Sequence, residues 1–442
     1  MWREAFCSES GKEGKYTPTK LYVVCQKSIG ERYLITVKIL FISNGLTHYY
    51  NLVLSRLNSE PGIELVAVVP KQCSSHIGEG VYQTKDGINF RVVELEESRK
   101  LYLYTTFKGL ASLIRKERPD VVIVIDIYLF TFLLDVAVVV AMKLAQSKLI
   151  LKTHPFRYPT YQEALVEIEK SSSEFKLLPK TINKLVCMFG LVRILRKGVL
   201  YLNRLALNMV DAHVNYIEAH KLWATYGVPR EKIFVTMNSP DTDILFNVKK
   251  ALKDIDSILP VNPYRILHVG RLVEWKRVDM LIRTVARLKT VFPDVELLVI
   301  GKGPEEAMLR QLAFELNLEK EIKFVGGVYE PRQLGQYFNA SSLYVLAGMG
   351  GISINEAMCF GLPILCSICD GTEKILVREG VNGRYFKDGS EDDLFNKIKW
   401  FFEHPEKMKE MGCESIKIIE KDVNIRTVIN GYRQALDYVE AK

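Results

Sequence analysis

Apolar and polar positions follow two alternating patterns along the chain from residue 37 onwards. Runs that are apolar throughout, such as VKILFIS (37–43), IELVAVV (63–69) and PDVVIVID (119–126), are separated by longer segments with helical spacing. Strands that are apolar on both faces are typical of parallel sheets covered by helices on both sides. Further candidate strands in this half lie at 90–96, 148–154, 212–217 and 232–238. The pattern predicts a doubly wound, Rossmann-like α/β domain over residues 35–240.

The same alternation restarts in the second half of the chain. Candidate strands lie at 264–270, 295–301, 321–327, 342–348 and 362–368. We therefore expect a second doubly wound domain over residues 263–425. Residues 241–262 lack a strand pattern and end in prolines, which predicts a linker, and residues 426–442 predict a C-terminal helix that packs back on the first domain. Residues 1–34 are polar without lasting periodicity and are expected to be a poorly ordered extension.

The amino-acid composition excludes few classes of function. The 442 residues are 48% hydrophobic and carry a net charge of +8, which fits an anionic small ligand or an acidic membrane surface as well as nucleic acid. We find neither zinc-finger spacing nor an arginine-rich arm, so nucleic acid is disfavoured. Cys366 and Cys369 form a CxxC without a second pair or a nearby histidine, which predicts reduced thiols and no metal site.

The sequence contains no secretory leader pattern and no uninterrupted run of the ~20 apolar residues that span a membrane. We therefore expect a cytoplasmic protein. The longest apolar stretch, residues 128–144, is interrupted by Asp135, and we interpret it as a buried helix of the α/β domain.

Candidate binding residues of the second half follow its predicted strands, at the edge where parallel sheets bind ligands. In HVGRLVEWKRVD (268–279), Arg271 and Lys276 follow Gly270. They could hold a diphosphate. Taken alone, however, the motif is better interpreted as solvated surface charges, because these are common. GKGPEE (301–306) and FVGGVYEP (324–331) are glycine turns, which leave room for a nucleoside or simply reverse the chain.

The stretch GMGGISINEAMCFGLP (348–363) combines glycines with one carboxylate. Gly350 and Gly351 would leave the amides of a helix N-terminus open to a phosphate. Glu356 has two interpretations. With Ser353 as the N-cap it completes a capping box, a purely structural role. Alternatively, it accepts hydrogen bonds from both hydroxyls of a ribose.

Together these motifs resemble a known family. HVGRLVEWKRVDMLIRTVARLK (268–289), LLVIGKGP (297–304), FVGGV (324–328), INEAMCFGLPIL (354–365) and TEKILVREGVNG (372–383) are similar to segments of the retaining GT-B-fold glycosyltransferases called "glycosyl transferases group 1", of the family-four type. The resemblance covers about residues 264–385 and is weaker over 37–245. It implies two Rossmann-like domains facing each other across a cleft.

The resemblance also implies an activity: transfer of a sugar from a nucleotide-sugar donor, UDP- or GDP-linked, to a hydroxyl acceptor with retention of anomeric configuration. The acceptor would be a glycan, a lipid-linked sugar or a small molecule, and no metal or other cofactor would be needed. A nucleotide-sugar epimerase of the same fold and a non-catalytic nucleotide-sugar-binding protein remain alternatives. A dinucleotide-dependent oxidoreductase is disfavoured, because SNGLTH (43–48) stands where its glycine motif would follow the first strand.

Roles carried over from the family fall on matching positions of this sequence. The catalytic candidates are Arg271 and Lys276 at the donor diphosphate and His154 at the donor sugar, and Glu356 would bind the ribose. The remaining donor-binding candidates are Ser43, Asn44, Gly270, Gly303, Val325, Gly326, Val328, Gly350, Gly351 and Ile352. The family often has a second glutamate eight residues before the ribose glutamate, where this chain has Gly348, so the identity of the sugar stays open.

The acceptor is expected on the first domain. Residues 176–204 contain seven basic and no acidic residues. A basic amphipathic helix of this kind can lie on an anionic membrane surface, which would make the protein peripheral to the inner face of a membrane. The alternative is a helix of the domain with a solvated basic face.

Overall fold

The computed structural model describes residues 36–72, 82–100, 104–170, 191–369 and 371–442. The expectation for residues 1–34 and the part of the basic segment at 176–190 lie outside these ranges. The described chain contains two parallel sheets, each covered by helices. The two α/β domains predicted from the hydrophobic pattern are therefore present.

The first sheet has seven strands in the order β3-β2-β1-β6-β7-β8-β9, and neighbouring strands run parallel. Its strands are β1 (Val37–Ile42), β2 (Ile63–Pro70), β3 (Arg91–Leu95), β6 (Val121–Ile125), β7 (Lys148–Thr153), β8 (Ala212–Asn215) and β9 (Ile233–Val235). A separate antiparallel pair consists of β4 (Glu97–Lys100) and β5 (Tyr104–Phe107). The helices of this half are α1 (His48–Asn58), α2 (Leu110–Glu117), α3 (Asp126–Leu134), α4 (Val136–Ala145), α5 (Tyr161–Lys170), α6 (Val192–Met209) and α7 (His220–Thr225).

The second sheet has six parallel strands in the order β12-β11-β10-β13-β14-β15. They are β10 (Arg265–Val269), β11 (Glu296–Ile300), β12 (Ile322–Gly326), β13 (Leu343–Leu346), β14 (Ile364–Cys366) and β15 (Gly383–Tyr385). The helices around it are α8 (Thr242–Ala251), α9 (Val278–Leu288), α10 (Glu306–Glu315), α11 (Pro331–Asn339), α12 (Ile352–Phe360), α13 (Glu373–Leu376), α14 (Glu391–Glu403) and α15 (Pro405–Lys421), and α16 (Ile425–Glu440) ends the chain.

Each sheet separates two hydrophobic cores, which explains why its strands are apolar at successive positions. In β1, for example, Leu40 and Ile42 pack into one core whereas Ile39 and Phe41 pack into the other. The strand order reverses between β1 and β6 in the first sheet and between β10 and β13 in the second. In open parallel sheets such reversals create the crevice in which ligands bind.

The predicted linker is in part a helix of the second domain. Asp241 caps α8 through hydrogen bonds from two backbone amides. Leu245 of this helix and Leu252, which follows it, lie in a core of the second sheet. Residues 241–262 contain no strand, and their first half is a packed helix of the second domain instead of a linker.

The final helix returns to the first domain. Ile425, Val428 and Tyr432 of α16 share a core with Ile39 and Phe41 of β1. The chain therefore crosses from one domain to the other twice. The two crossing segments are in contact, because the Ser239 hydroxyl donates a 3.4 Å hydrogen bond to the Val423 carbonyl oxygen.

The apolar stretch at 128–144 is not the buried helix expected from the sequence. It forms most of α3 and most of α4, which are separated at Asp135. The Asp135 carboxylate accepts hydrogen bonds from the Ala137 and Val138 amides. Val136 and Leu144 are 74% and 66% exposed. Within the described ranges no single helix is long and apolar enough to cross a membrane, and the bent pair α3–α4 passes only on length and composition.

Candidate functional site

The ends of β10 and β13 bring a lysine against a glycine turn. A short 3-10 turn, Glu274–Lys276, follows β10, and the Lys276 ammonium lies beside Gly350. A Cβ added to Gly350 would lie 2.2 Å from Lys276 Nζ, and the φ of Gly350 is +154°. A side chain at this position would therefore displace the ammonium from the start of α12.

The start of α12 has no capping side chain. Gly351 is the N-cap residue, so the prediction of a capping box with Ser353 as N-cap is wrong. Ser353 lies inside the first turn, where its hydroxyl accepts a 2.6 Å hydrogen bond from the Tyr344 hydroxyl. The bare helix start and the adjacent ammonium together form a place that suits an anion.

Glu356 lies on α12, three residues after Ser353. Its carboxylate has no hydrogen-bond or ion-pair partner among the described residues, so helix capping does not account for it. Burial raises the pKa of Glu356 to about 7, because removal from water disfavours the charged form. In the ionised form of Glu356, both oxygens can accept hydrogen bonds from a ligand.

Arg271 lies where the two domains approach each other. Its guanidinium is 5.6 Å from the ring centroid of Trp275. Burial lowers the pKa of Arg271, and Tyr49 of the first domain opposes that shift. The side chain is thus a half-buried cation held at the cleft, a setting that strengthens its attraction for a phosphate.

His268 lies beneath this turn and was not recognised in the sequence. It is fully buried, and burial, aided by the neighbouring Lys276 charge, lowers its pKa to about 4. The neutral imidazole therefore adds no further positive charge beside the Lys276 ammonium. The available signal was a histidine among the apolar residues of the strand RILHV.

The glycines of the GKG turn serve close packing between loops. A Cβ on Gly301 would lie 1.8 Å from the Gly270 carbonyl oxygen, and one on Gly303 would lie 2.1 Å from the Leu272 carbonyl oxygen. These contacts join the turn after β11 to the turn after β10. Gly303 therefore contributes to the site indirectly, because the absence of a side chain lets the Leu272 backbone approach it closely.

The turn after β12 contains the residues expected near a base. Val325 and Val328 are half-buried and pack against a core of the second domain. Gly326, between them, has a φ of +86°, which favours glycine. The adjacent Tyr329 ring stacks on Tyr82 of the first domain, with centroids 4.0 Å apart. Sequence reasoning missed this pair, because its members come from distant parts of the chain.

Gly348 has a direct structural explanation. A Cβ on this residue would lie 2.1 Å from the Trp275 carbonyl oxygen, and the next amide, Met349 N–H, donates a 3.0 Å hydrogen bond to the same oxygen. The turn that holds Lys276 thus occupies the space that a side chain at 348 would need. The family's additional glutamate is therefore incompatible with this packing.

We expect Gly348→Ala to disturb the site through this turn. The added methyl group must push the Trp275–Lys276 backbone away, which should lower the melting temperature and reduce turnover together. Gly198→Ala on α6 of the first domain is the control, because nothing lies within 4 Å of its added Cβ and its backbone is helical. Full activity and an unchanged melting temperature in Gly348→Ala would contradict this role.

The candidate binding residues of the first domain follow β1 and β7. Ser43 is buried, and its hydroxyl donates to the Gly45 carbonyl oxygen 3.0 Å away, which fixes the turn that contains Asn44. His154 follows β7, and its ring centroid lies 4.4 Å from that of Tyr216 and 5.5 Å from that of Phe156. The histidine is thus oriented by aromatic neighbours.

Lys152, two residues before His154, was also missed. It is buried, and its ammonium donates a 2.6 Å hydrogen bond to the Tyr50 hydroxyl and lies 4.3 Å from the Tyr216 ring centroid. Burial lowers its pKa well below the usual range. A lysine within the apolar strand KLILKT was the available signal. Tyr216 links Lys152 to His154.

The described part of the chain contains no group of three or more histidine, cysteine or acidic side chains that could hold a metal ion. Within that part, Cys366 and Cys369 are free thiols.

The second half of the chain is similar in sequence to known proteins. Residues 250–418 match the family "Glycosyl transferases group 1". An uncharacterized glycosyltransferase of Haemophilus influenzae is 29% identical over 176 residues, 39% of this chain and 48% of that protein. The amylovoran biosynthesis glycosyltransferase AmsK of Erwinia amylovora is 29% identical over 199 residues, 43% of this chain and 46% of that protein. The chain thus spans about half the length of these curated relatives.

Solved structures extend the likeness to nearly the whole chain. HepE of Anabaena in complex with UDP matches with a TM-score of 0.62 at 16% identity, over 91% of this chain and 99% of that one. The galactosyltransferase WaaB of the lipopolysaccharide outer core matches with a TM-score of 0.58 at 18% identity, over 91% and 99%. The described chain has the GT-B architecture, and its residues 250–418 match the group 1 glycosyltransferase family.

Proposed function

We propose that the protein transfers a sugar from a nucleotide-sugar donor to a hydroxyl acceptor, with retention of anomeric configuration and without a metal ion. The observation that carries the proposal is the position of the Lys276 ammonium against Gly350, at the uncapped start of α12. The family match of residues 250–418 supports it.

The donor would bind through its diphosphate and its ribose. Lys276, Arg271 and the amides at the start of α12 suit the two phosphates, and Glu356 suits the ribose hydroxyls because it accepts two hydrogen bonds. The base would lie by the turn at 325–328. HepE was solved with UDP and with UDP-glucose, so a uridine nucleotide is the first donor to test.

The reaction breaks the bond between the anomeric carbon and the β-phosphate oxygen and forms one between that carbon and the acceptor oxygen. Negative charge develops on the departing diphosphate, where Lys276 and Arg271 stabilise it more strongly than in the ground state. For retention, the acceptor attacks from the face that the phosphate leaves, and its proton passes to the leaving phosphate oxygen. His154, at the opposing edge, would orient the sugar.

The proposal is tested by donor binding followed by turnover. In a thermal-shift series of nucleoside diphosphates, the correct base should raise the melting temperature with increasing concentration. The matching nucleotide sugar should then release nucleoside diphosphate faster when a hydroxyl acceptor is added. Interconversion of sugars with donor alone would favour an epimerase, and binding without turnover across a broad acceptor panel would favour a non-catalytic protein.

Donor binding should depend on pH through Glu356. Its pKa of about 7 means that the carboxyl group is mostly protonated below pH 7, whereas ribose hydroxyls bind best to the carboxylate. Affinity should therefore rise with pH and level off above 7, by up to about tenfold per pH unit between 5 and 7. The measurement is the dissociation constant of a nucleoside diphosphate in wild type and in Glu356→Gln. The phosphate of the nucleotide titrates in the measurements on both proteins. Identical pH profiles for wild type and Glu356→Gln would therefore show that Glu356 does not contribute to the pH dependence of binding.

A further inference from the structure

Two helices of the first domain carry exposed apolar stripes. On α4, Val136, Val140 and Leu144 follow helical spacing and are 47–74% exposed. On α6 the stripe consists of Ile194, Leu195, Tyr201, Leu202, Leu205 and Met209. Soluble proteins seldom leave so many large apolar side chains together in water.

The two stripes face the same side of the molecule. Val138 and Met142 of α4 and Ala206 and Leu207 of α6 pack into one core on one face of the first sheet. Helix α3 contacts both helices. The opposite, exposed sides of α4 and α6 are therefore directed away from this sheet, and we call them the α4–α6 face.

The charges on α4 and α6 themselves have one sign, although the neighbouring helix α5 carries acidic side chains. Residues 136–150 and 191–209 contain no acidic residue, while Lys143, Arg193, Arg196 and Lys197 lie on these helices. Arg193 and Lys197 pair with Glu169 of α5, yet their side chains remain 54% and 47% exposed. The apolar stripe on α6 is thus bordered by cations.

This charge pattern distinguishes between possible occupants. In a two-fold dimer through this face, each copy would present its cations to those of the other, which is unfavourable. A bilayer with anionic headgroups instead accepts the apolar side chains at the level of the acyl chains and pairs with the bordering cations. The face therefore fits an anionic lipid surface better than a second copy.

We propose that the α4–α6 face docks the protein peripherally on an anionic lipid bilayer. The surface includes α4, which the basic segment at 176–204 does not contain. The proposal does not depend on the nucleotide-sugar activity, since binding is measured without donor or acceptor.

The test is co-sedimentation of the full chain with vesicles of phosphatidylcholine alone or mixed with phosphatidylglycerol. Wild type should bind the mixed vesicles, and binding should weaken with salt. Ile194→Glu combined with Leu202→Glu should weaken it by about tenfold or more. Both side chains are exposed, so the variant should keep its melting temperature. Phe314→Glu, at a 62% exposed position on α10 of the second domain, is the matched control and should bind as wild type does.

Three outcomes would overturn the proposal. The first is no binding to mixed vesicles at low salt. The second is equal loss of binding in Phe314→Glu. The third is a dimer in sedimentation velocity that the paired substitution on α6 dissociates, which would assign the face to a second copy of the chain.

Discussion

Replacing Lys276 with alanine is expected to reduce turnover about 100- to 1000-fold, the range for removal of one preorganised group that stabilises developing charge. The ammonium lies against Gly350 at the uncapped start of α12, where a departing diphosphate would gain charge. The loss should appear mainly in kcat, because the interaction strengthens as the bond breaks. Steady-state kinetics with saturating nucleotide sugar measure it.

A second variant separates charge from packing. Lys276→Met keeps most of the side-chain length but removes the ammonium, so it should lose as much turnover as Lys276→Ala. Both variants should unfold near the wild-type temperature, since the turn is held by backbone contacts such as that between Met349 and Trp275. If Lys276→Met retained wild-type turnover, Lys276 would have no electrostatic role in the reaction.

Replacing Glu356 with alanine should weaken nucleoside-diphosphate binding about 10- to 150-fold, equivalent to roughly 1.5–3 kcal/mol for a hydrogen bond to a charged group. Stability should change little, because the carboxylate has no partner within the described chain and its charged form is disfavoured by burial. Isothermal titration and thermal unfolding without ligand measure the two effects separately.

Ser353→Ala is the matched control on the same helix turn. It removes the buried hydrogen bond from the Tyr344 hydroxyl, so it should lower the melting temperature while leaving nucleotide affinity near that of wild type. A Glu356→Ala variant that lost stability but kept its affinity would return this residue to a structural role.

The two sheets were predictable because parallel strands buried on both faces are apolar at successive positions. The pattern located β1, β10 and β13 within one or two residues, and it placed the binding candidates at strand ends. The break at Asp135 was harder to interpret. An aspartate inside an apolar run both interrupts a buried helix and caps a new one, and only the packing of α3 and α4 shows which occurs.

The residues expected to bind the donor were easier to predict from the sequence than the contacts across the cleft. Lys276 and Glu356 follow strands and lie within short motifs. The pairs Tyr82–Tyr329 and Tyr49–Arg271 join distant segments, so no local pattern indicates them. The capping box failed for a local reason. Ser353-x-x-Glu356 has the right spacing, but the helix begins two residues earlier than the motif requires, with Gly351 in place of Ser353 as the N-cap.

The return of α16 to the first domain has a consequence for biosynthesis. Tyr432, Leu436 and Val439 complete a core that otherwise consists of residues from the first half of the chain. During translation that half emerges first, yet one face of its sheet is covered only in part, by α1, until α16 has been synthesised. The first domain therefore completes its native core only after α16 has been synthesised, and a nascent chain stopped before residue 425 exposes an apolar surface of the kind that chaperones bind.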